Sequence, residues 1–405
     1  MSKSKKDVNF ASIVSQDNLP VDEYIMPHTA PLYLSSTYIY ESPEKAQEVF
    51  KGKEKAYIYS RWSHPNAELV ERKIEQMEVF GSPKAECKAL LFSSGMSAIS
   101  ALFQSLVRPG GSLIVQGNIY GTSVDYINHI AQQFGLKVYY EDFKKTDKIE
   151  AILRRDKKVK LIYTETPSNP TINCYDLKAL SALARKYKTR IAADNTFASP
   201  YLQRPLAFGV DFVIHSSTKY LNGHGSGLSG VLVGSDVAFM NKEVWTIRKL
   251  HGSICSPFDA WLLNLGMKTL TLRMKQHCAN AMAVATWLQA HNAISRVNYL
   301  GLVSHPDHAL AKRQMSDYGG VLSFDMKHGY KAGEKLMKRL KFCKLTASLG
   351  TTDTLIQHPA SMSHYFVPKE QREKFGITDG LVRLSVGIED VNDIIADLAQ
   401  ALNHK

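Results

Sequence analysis

From Lys88 to Gly234 short apolar runs alternate with helical patterns, and this alternation limits the fold more than any other feature of the chain. The runs go from Lys88 to Phe92, Ser112 to Gln116, Lys137 to Tyr140, Lys160 to Tyr163, Ile191 to Ala193 and Val231 to Val233, with one more before His215. Helical spacings flank and separate them: Leu69, Val70, Ile74, Met77 and Val79 mark a helix from about Ala67 before the first, and Leu177 to Lys186 marks another between two of them. Strand–helix alternation of this kind predicts an α/β domain built on a mainly parallel sheet. In such sheets ligands gather at the carboxyl ends of the strands. Tyr120, Asn169, Asp194 and Lys219 each fall just past a strand end. Their shared placement predicts one site at one edge of the sheet.

Lys219 ends the stretch Val210-Asp211-Phe212-Val213-Ile214-His215-Ser216-Ser217-Thr218-Lys219. A buried strand here would deliver the lysine to a crowded place, with Ser216 and Thr218 beside it. The loop that follows carries Gly223, Gly225, Gly227 and Gly230, residues that let backbone come close to a bulky group. An amine so placed can form a Schiff base with an aldehyde, and the hydroxyls can hold a phosphate. Pyridoxal phosphate carries both groups. A solvated lysine after a strand is the alternative reading of this stretch. Ser93-Ser94-Gly95-Met96 ends an earlier apolar run and opens a helix of small and apolar residues. Free N–H groups at such a helix start suit an anion.

The first sixty or so residues are punctuated by Pro20, Pro27 and Pro31 and show little helical periodicity before Ser42. They predict an extended arm that packs on a partner subunit rather than on its own core. Tyr59 and Arg61, two apart near its end, would point to the same side of an extended segment. A phenol and a guanidinium on one side suit a phosphate; a surface arginine beside a packing tyrosine fits the same spacing.

A chain of 405 residues exceeds one ordinary core. The pattern changes near Cys255-Ser256-Pro257-Phe258, and one long helix through Leu262, Leu265, Met267, Leu270, Leu272, Arg273 and Met274 is expected to join two domains. The expected division is an arm over 1–64, a cofactor-binding domain over 65–261 and a C-terminal domain over 262–405. In the last part, Arg383 lies between Val382 and Leu384 in an expected strand, so it faces a site or a buried partner.

The formal charge of +12 does not point to nucleic acid, because the lysines are spread along the chain among acids. No apolar run reaches membrane-spanning length. Five scattered cysteines without a C-x-x-C pair suggest reduced thiols, and no apolar stretch follows Met1-Ser2-Lys3 to make a secretory signal. A cytoplasmic enzyme without a bound metal is the expectation.

Together these stretches resemble the trans-sulfuration (Cys/Met metabolism) family of pyridoxal-phosphate enzymes. This family spans γ-lyases, cystathionine γ-synthases and O-acylhomoserine sulfhydrylases. The match runs from about Thr29 to Leu402, and His215 to Lys219 with Leu384-Ser385-Val386-Gly387-Ile388-Glu389-Asp390 carry it most specifically. The resemblance implies fold type I, with a mainly parallel seven-stranded-type sheet in the large domain and a smaller α/β C-terminal domain. It implies a homotetramer of two tight dimers. Lys219 falls at the Schiff-base lysine and Asp194 at the carboxylate that pairs with the pyridine nitrogen. Tyr120 falls at the ring-stacking tyrosine that serves as acid to the leaving group. Gly95, Met96, Ser216 and Thr218 fall at phosphate binders, and Tyr59 and Arg61 where a neighbouring subunit completes the phosphate cup. Arg383, Ser348 and Asn169 fall at the substrate-carboxylate clamp, with Tyr59 also near the substrate.

The implied chemistry is γ-elimination on a sulfur amino acid (methionine, homocysteine or cystathionine) to 2-oxobutyrate, ammonia and a thiol. Two alternatives stand beside it: γ-replacement on an O-acylhomoserine, and a cofactor-binding protein without turnover. Ser348 to His364 and His277 to Ala281 are similar to methionine γ-lyases. Thr122 departs from that pattern where those enzymes carry Cys, Leu265 where the family carries Arg, and Ser63-His64-Pro65-Asn66 where it more often shows Gly-Asn-Pro-Thr. Asp353 stands where relatives often carry Glu, a position from which a carboxylate would meet the distal amine of cystathionine.

Overall fold

The computed structural model describes residues 8–17, 27–82, 85–365 and 367–403. The stretch 1–7 and Pro20 lie outside the described residues. The large sheet contains, among the described residues, seven strands: β1 (Lys88–Phe92), β2 (Ser112–Gln116), β3 (Lys137–Glu141), β4 (Val159–Glu165), β5 (Arg190–Asp194), β6 (Phe212–His215) and β7 (Gly230–Gly234). Their order is β1-β7-β6-β5-β4-β2-β3. β7 runs antiparallel to both its neighbours, and the pairs from β6 to β3 are parallel. The expected mainly parallel sheet is therefore present, with each expected strand in place.

Successive side chains of a strand point to opposite faces, and here both faces are buried. Leu90, Phe92, Leu113, Val115 and Tyr163 pack into one apolar cluster. Their sequence neighbours Ala89, Leu91, Ile114 and Ile162 pack into another on the far side. Continuous apolar runs rather than strict alternation are what two covered faces require.

A second sheet holds β8 (Ile294–Asn298), β9 (Val321–Met326), β10 (Lys344–Leu345), β11 (Leu355–Gln357) and β12 (Leu381–Ser385), in the order β10-β11-β12-β9-β8. β12 lies at its centre, antiparallel to β11 and β9. A separate cluster with Leu322, Phe324, Val382, Leu384 and Leu398 packs beneath it.

Two expectations need correction. The single long helix is two helices, Pro257–Met267 and Leu270–Gln289. Gly266 packs so closely that a Cβ there would lie 2.1 Å from the Asn222 carbonyl oxygen. Arg273 then reaches back over the break, donating to Gly266 O at 2.8 Å and to Tyr220 O at 2.8 Å. The apolar spacing continues through the break, so periodicity alone does not reveal it. The arm also contains a helix, Phe10–Ser15, that packs on the chain's own core through Phe10 and Val14. Asp17 anchors it by ion pairs to Lys73 at 3.0 Å and Lys268 at 2.8 Å. The later part of the arm is open: Leu34 is 71% and Ile39 100% exposed.

The Ser63-His64-Pro65-Asn66 departure has a local structural use. His64 caps the helix Pro65–Glu78, its Nδ1 accepting from Ala67 N at 3.2 Å, with Pro65 in the first turn. Its Nε2 pairs with Cys255 O at 2.9 Å, so the ring is neutral with its proton on Nε2. Burial lowers the pKa of this imidazole further. Asn66 holds the arm by donating to Pro31 O at 2.7 Å and accepting from Tyr33 N at 3.0 Å.

Candidate active site

Nine of the expected site residues line a single cavity of about 180 Å³: Gly95, Met96, Tyr120, Asn169, Asp194, Ser216, Thr218, Lys219 and Arg383. The strand ends of the large sheet supply most of them, and β12 of the second sheet supplies Arg383. Ser348 joins them through Lys219, whose Nζ lies 3.0 Å from Ser348 Oγ.

Lys219 sits in a tight turn after β6. Its N–H donates to Ser216 O at 3.1 Å and its carbonyl accepts from Gly223 N at 2.7 Å. Burial, aided by the charge of Arg383, brings its amine down to about 8. An amine in that range carries a substantial neutral fraction near neutrality and can attack a carbonyl. The solvated-lysine alternative does not describe this side chain.

The glycine loop beside it serves a different purpose from the one expected. A Cβ on Gly223 would lie 1.9 Å from Arg273 Nη1, and one on Gly227 2.9 Å from Asp259 Oδ1. These two glycines admit protein side chains. Gly230 has a direct bearing on the site: a Cβ there would lie 2.1 Å from Ser94 O, so its absence lets the Ser94-Gly95 turn approach β7.

Ser94 caps the helix Gly95–Leu106, accepting from Ser97 N at 3.0 Å. A Cβ on Gly95 would lie 2.9 Å from Ser216 Cβ. Only glycine therefore lets the helix start, with its free N–H groups, stand against the Ser216 hydroxyl. That pairing suits an anion such as a phosphate. The Thr218 hydroxyl borders it and is oriented by Ser229, donating to Ser229 O and accepting from Ser229 N, both at 3.1 Å.

Asp194 ends β5, and its Oδ1 accepts from Thr196 N at 3.0 Å. Burial raises its carboxyl above the usual carboxylate range, and Thr196 and the His215 ring pull it back. A carboxylate so placed suits a cationic ring N–H. Behind it, His215 Nε2 meets Glu78 Oε1 at 2.6 Å in a fully buried pair.

Arg383 is 3% exposed. Its Nη1 donates to Asn169 Oδ1 at 3.1 Å and its Nη2 to the Ser348 carbonyl at 2.7 Å. Its Nε is buried with no partner among the described residues. Burial lowers the guanidinium to about 10, which leaves it charged at neutral pH. A buried cation with an unspent donor suits a carboxylate ligand.

The sequence reading missed Glu165. It ends β4, lines the same cavity and pairs in register with Asp194. Its signal was present: a carboxylate at the end of a buried strand, beside a strand that also ends in a carboxylate.

Tyr59 and Arg61 are not brought into the cavity of their own chain. They line a separate hollow with Thr37, Tyr40, Phe50 and Trp62. They do share a side, Arg61 lying 5.5 Å from the Tyr59 ring centroid. The reason differs from the one expected. The backbone turns here, with Trp62 N bonded to Tyr59 O at 2.8 Å, so the two do not follow the alternation of an extended strand. Thr122 is exposed at the start of the helix Gly121–Phe134, and Leu265 is half-buried in its helix. Asp353 pairs with Lys344 at 2.6 Å and does not border the cavity.

Residues 14–403 match the family model described as Cys/Met metabolism PLP-dependent enzyme. The L-methionine gamma-lyase of Fusobacterium nucleatum subsp. polymorphum is 42% identical over 373 residues, covering 92% of each chain. The O-succinylhomoserine sulfhydrylase of Pseudomonas aeruginosa is 38% identical over 375 residues, covering 93% of this chain and 91% of that one. Among solved structures, a cystathionine gamma synthase from Xanthomonas oryzae pv. oryzae, in complex with aminoacrylate and cysteine, superposes with a TM-score of 0.90 at 33% identity over 98% of both chains. The helix start suited to an anion, the buried lysine and the buried carboxylate thus belong to a fold-type-I chain, and the protein is a member of the Cys/Met metabolism family of pyridoxal-phosphate-dependent enzymes.

Proposed function

We propose that the protein eliminates the γ-substituent of a sulfur amino acid (L-methionine, L-homocysteine or L-cystathionine), giving 2-oxobutyrate, ammonia and a thiol. Lys219 would hold the cofactor through its aldehyde. Gly95, Met96, Ser216 and Thr218 hold its phosphate. Asp194 would pair with its ring nitrogen and Tyr120 would stack on its ring. Arg383, Asn169 and Ser348 hold the substrate carboxylate. The observation that carries this reading is the meeting of Lys219 and Arg383 in one cavity, bridged by Ser348.

Bound there, the cofactor supplies an electron sink that makes the substrate's Cα and Cβ protons removable. The chain's own residues do the rest. Arg383 and Asn169 fix the carboxylate and so aim Cα–H at Lys219. The Lys219 Nζ, kept from full protonation by burial, takes that proton. Tyr120 Oη gives a proton to the departing sulfur. Ile99, Phe197 and Leu349 form an apolar wall of the cavity.

Tyr59 and Arg61 complete the phosphate cup of a neighbouring subunit in a homotetramer of two tight dimers. In support, both are exposed on their own chain, and Tyr59 pairs with Thr37 of the arm. The five free thiols suit a reducing, cytoplasmic setting. A second reading is γ-replacement on an O-acylhomoserine, favoured by the Pseudomonas and Xanthomonas proteins named above. One panel separates the two. The holoenzyme is given L-methionine, L-homocysteine or L-cystathionine and 2-oxobutyrate is measured; in parallel it is given O-acetyl- or O-succinylhomoserine with sulfide or cysteine. Faster thioether or homocysteine formation than 2-oxobutyrate release would overturn the lyase reading.

A further inference from the structure

Glu165 spends both of its carboxylate oxygens on the backbone of two functional segments. Oε2 accepts from Tyr120 N at 2.8 Å, and Oε1 accepts from Asn169 N at 2.8 Å. Tyr120 is the residue before the helix Gly121–Phe134 and has no side-chain cap bond of its own. Asn169 in turn accepts from Arg383 Nη1 at 3.1 Å. One side chain, 5% exposed, thereby ties the loop after β2 to the loop after β4, and through Asn169 to β12 of the other sheet.

The choice of a carboxyl is costly in this place: burial and the adjacent Asp194 push its pKa well above the ordinary value, against the pull of the two N–H donors and the Arg383 cation. Both of its oxygens, however, face N–H donors at 2.8 Å, an arrangement that favours the ionised form. A carboxylate nevertheless has one property that no neutral side chain shares. It offers two equivalent acceptors side by side, whereas a glutamine offers one acceptor and one donor, and the donor would face an N–H. The two backbone groups that Glu165 holds belong to the residue placed against the cofactor ring and to a residue placed at the substrate carboxylate.

We infer that Glu165 is a positioning residue that sets Tyr120 and Asn169 at a fixed spacing across the cavity. The group that protonates the leaving sulfur and the group that orients Cα–H are then coupled through one side chain. The inference rests on the roles proposed above for Tyr120 and Asn169.

The test compares the wild-type holoenzyme with Glu165→Gln, Glu165→Asp, Asn169→Ala and the double variant Glu165→Gln/Asn169→Ala. Steady-state kinetics on the preferred amino acid and the induced circular dichroism of the bound cofactor are both read. Glu165→Gln is expected to raise KM and lower kcat, each about tenfold, the effect of losing a hydrogen bond to a charged group. Its induced dichroism should change as the Tyr120 ring shifts. In the double variant, KM should be no higher than in Asn169→Ala alone, because Glu165 acts on carboxylate binding through Asn169. Glu165→Asp, too short to reach both N–H groups, should keep one effect small and show the other. If Glu165→Gln does not fold, Glu165→Asp carries the same comparison. Kinetics and dichroism equal to wild type, with only the melting temperature lowered, would overturn the inference. Failure of the site assignment itself has a different sign: the wild-type cofactor absorbance would then survive Lys219→Ala.

Discussion

Lys219 Nζ and Ser348 Oγ lie 3.0 Å apart, joining the end of β6 on the large sheet to the loop before β11 on the small one across 129 residues of sequence. The amine and the Ser348–Arg383 pair are therefore positioned by each other. Removing the Ser348 hydroxyl leaves the lysine in place but less well aimed. Ser348→Ala is expected to lower turnover about three- to tenfold, the effect of one neutral hydrogen bond. Lys219→Ala is expected to lower it by about 10²–10⁴-fold or more, since the acid–base group itself is lost. Both are read as 2-oxo acid released from the preferred substrate.

The Lys219 amine, at about 8 in the folded chain against 10.5 ordinarily, sets a pH dependence that needs no substrate. Burial is the main cause and the Arg383 charge the second. Below about pH 8 the neutral fraction that can attack an aldehyde falls about tenfold per pH unit; above it most of the amine is free. The rate at which cofactor-free protein takes up pyridoxal phosphate should therefore rise with pH and level off above about 8, not above 10. Stopped-flow absorbance follows the uptake directly.

Arg383→Lys keeps the charge and loses the planar fork. Asn169 Oδ1 and the Ser348 carbonyl each lose a directed donor. KM for an amino-acid substrate is expected to rise about tenfold to a hundredfold, with kcat changed less.

Subunit complementation tests the placing of Tyr59 and Arg61. Arg61→Ala and Lys219→Ala chains should each be inactive or nearly so. Refolded together, they form sites in which an intact Lys219 meets an intact Arg61 from the neighbour. Activity should reappear in the mixture. No recovery in a mixture shown to contain hybrid oligomers would mean that each chain serves its own site.

Asp17, which does not border the cavity, tests the arm's anchoring. Burial alone would raise its carboxyl, but bonds from Lys268 and Asn264 and the charge of Lys73 hold it at about 2, below the ordinary 3.8. A carboxyl with a depressed folded-state pKa stabilises the fold above its ordinary value, and that contribution is lost as pH falls toward 2. Asp17→Ala should thus destabilise the protein by about 3 kcal/mol at neutral pH, since Lys73 is left buried without its counter-ion. The difference between variant and wild type should shrink as pH drops below 4, measured by denaturant unfolding.

Strand ends were readable because they are local events. An apolar run covered on both faces stops where a polar residue must reach solvent or a ligand, and Tyr120, Asn169, Asp194 and Lys219 all sit at such stops. Glu165 was overlooked because its partners are the backbone groups of Tyr120 and Asn169, which carry no side-chain signature. The break between Met267 and Leu270 was invisible for a similar reason: Arg273 and the Gly266–Asn222 contact impose it from outside the helix pattern. The glycines after Lys219 misled because a glycine reports close approach without saying what approaches.

What the sequence determined by itself is the inventory of chemistry and its order along an α/β chain: an amine, a carboxylate and a phenol past strand ends, a guanidinium within a strand and a glycine-led helix start. That much is local, set by side-chain period and turn chemistry. The tertiary structure decided which of these groups share a space. It brought Arg383 and Ser348 to Lys219 and kept Tyr59, Arg61 and Asp353 away. It also lowered the lysine's pKa and raised the aspartate's, because desolvation is a sum over neighbours that lie far apart in sequence and meet only when both sheets are packed.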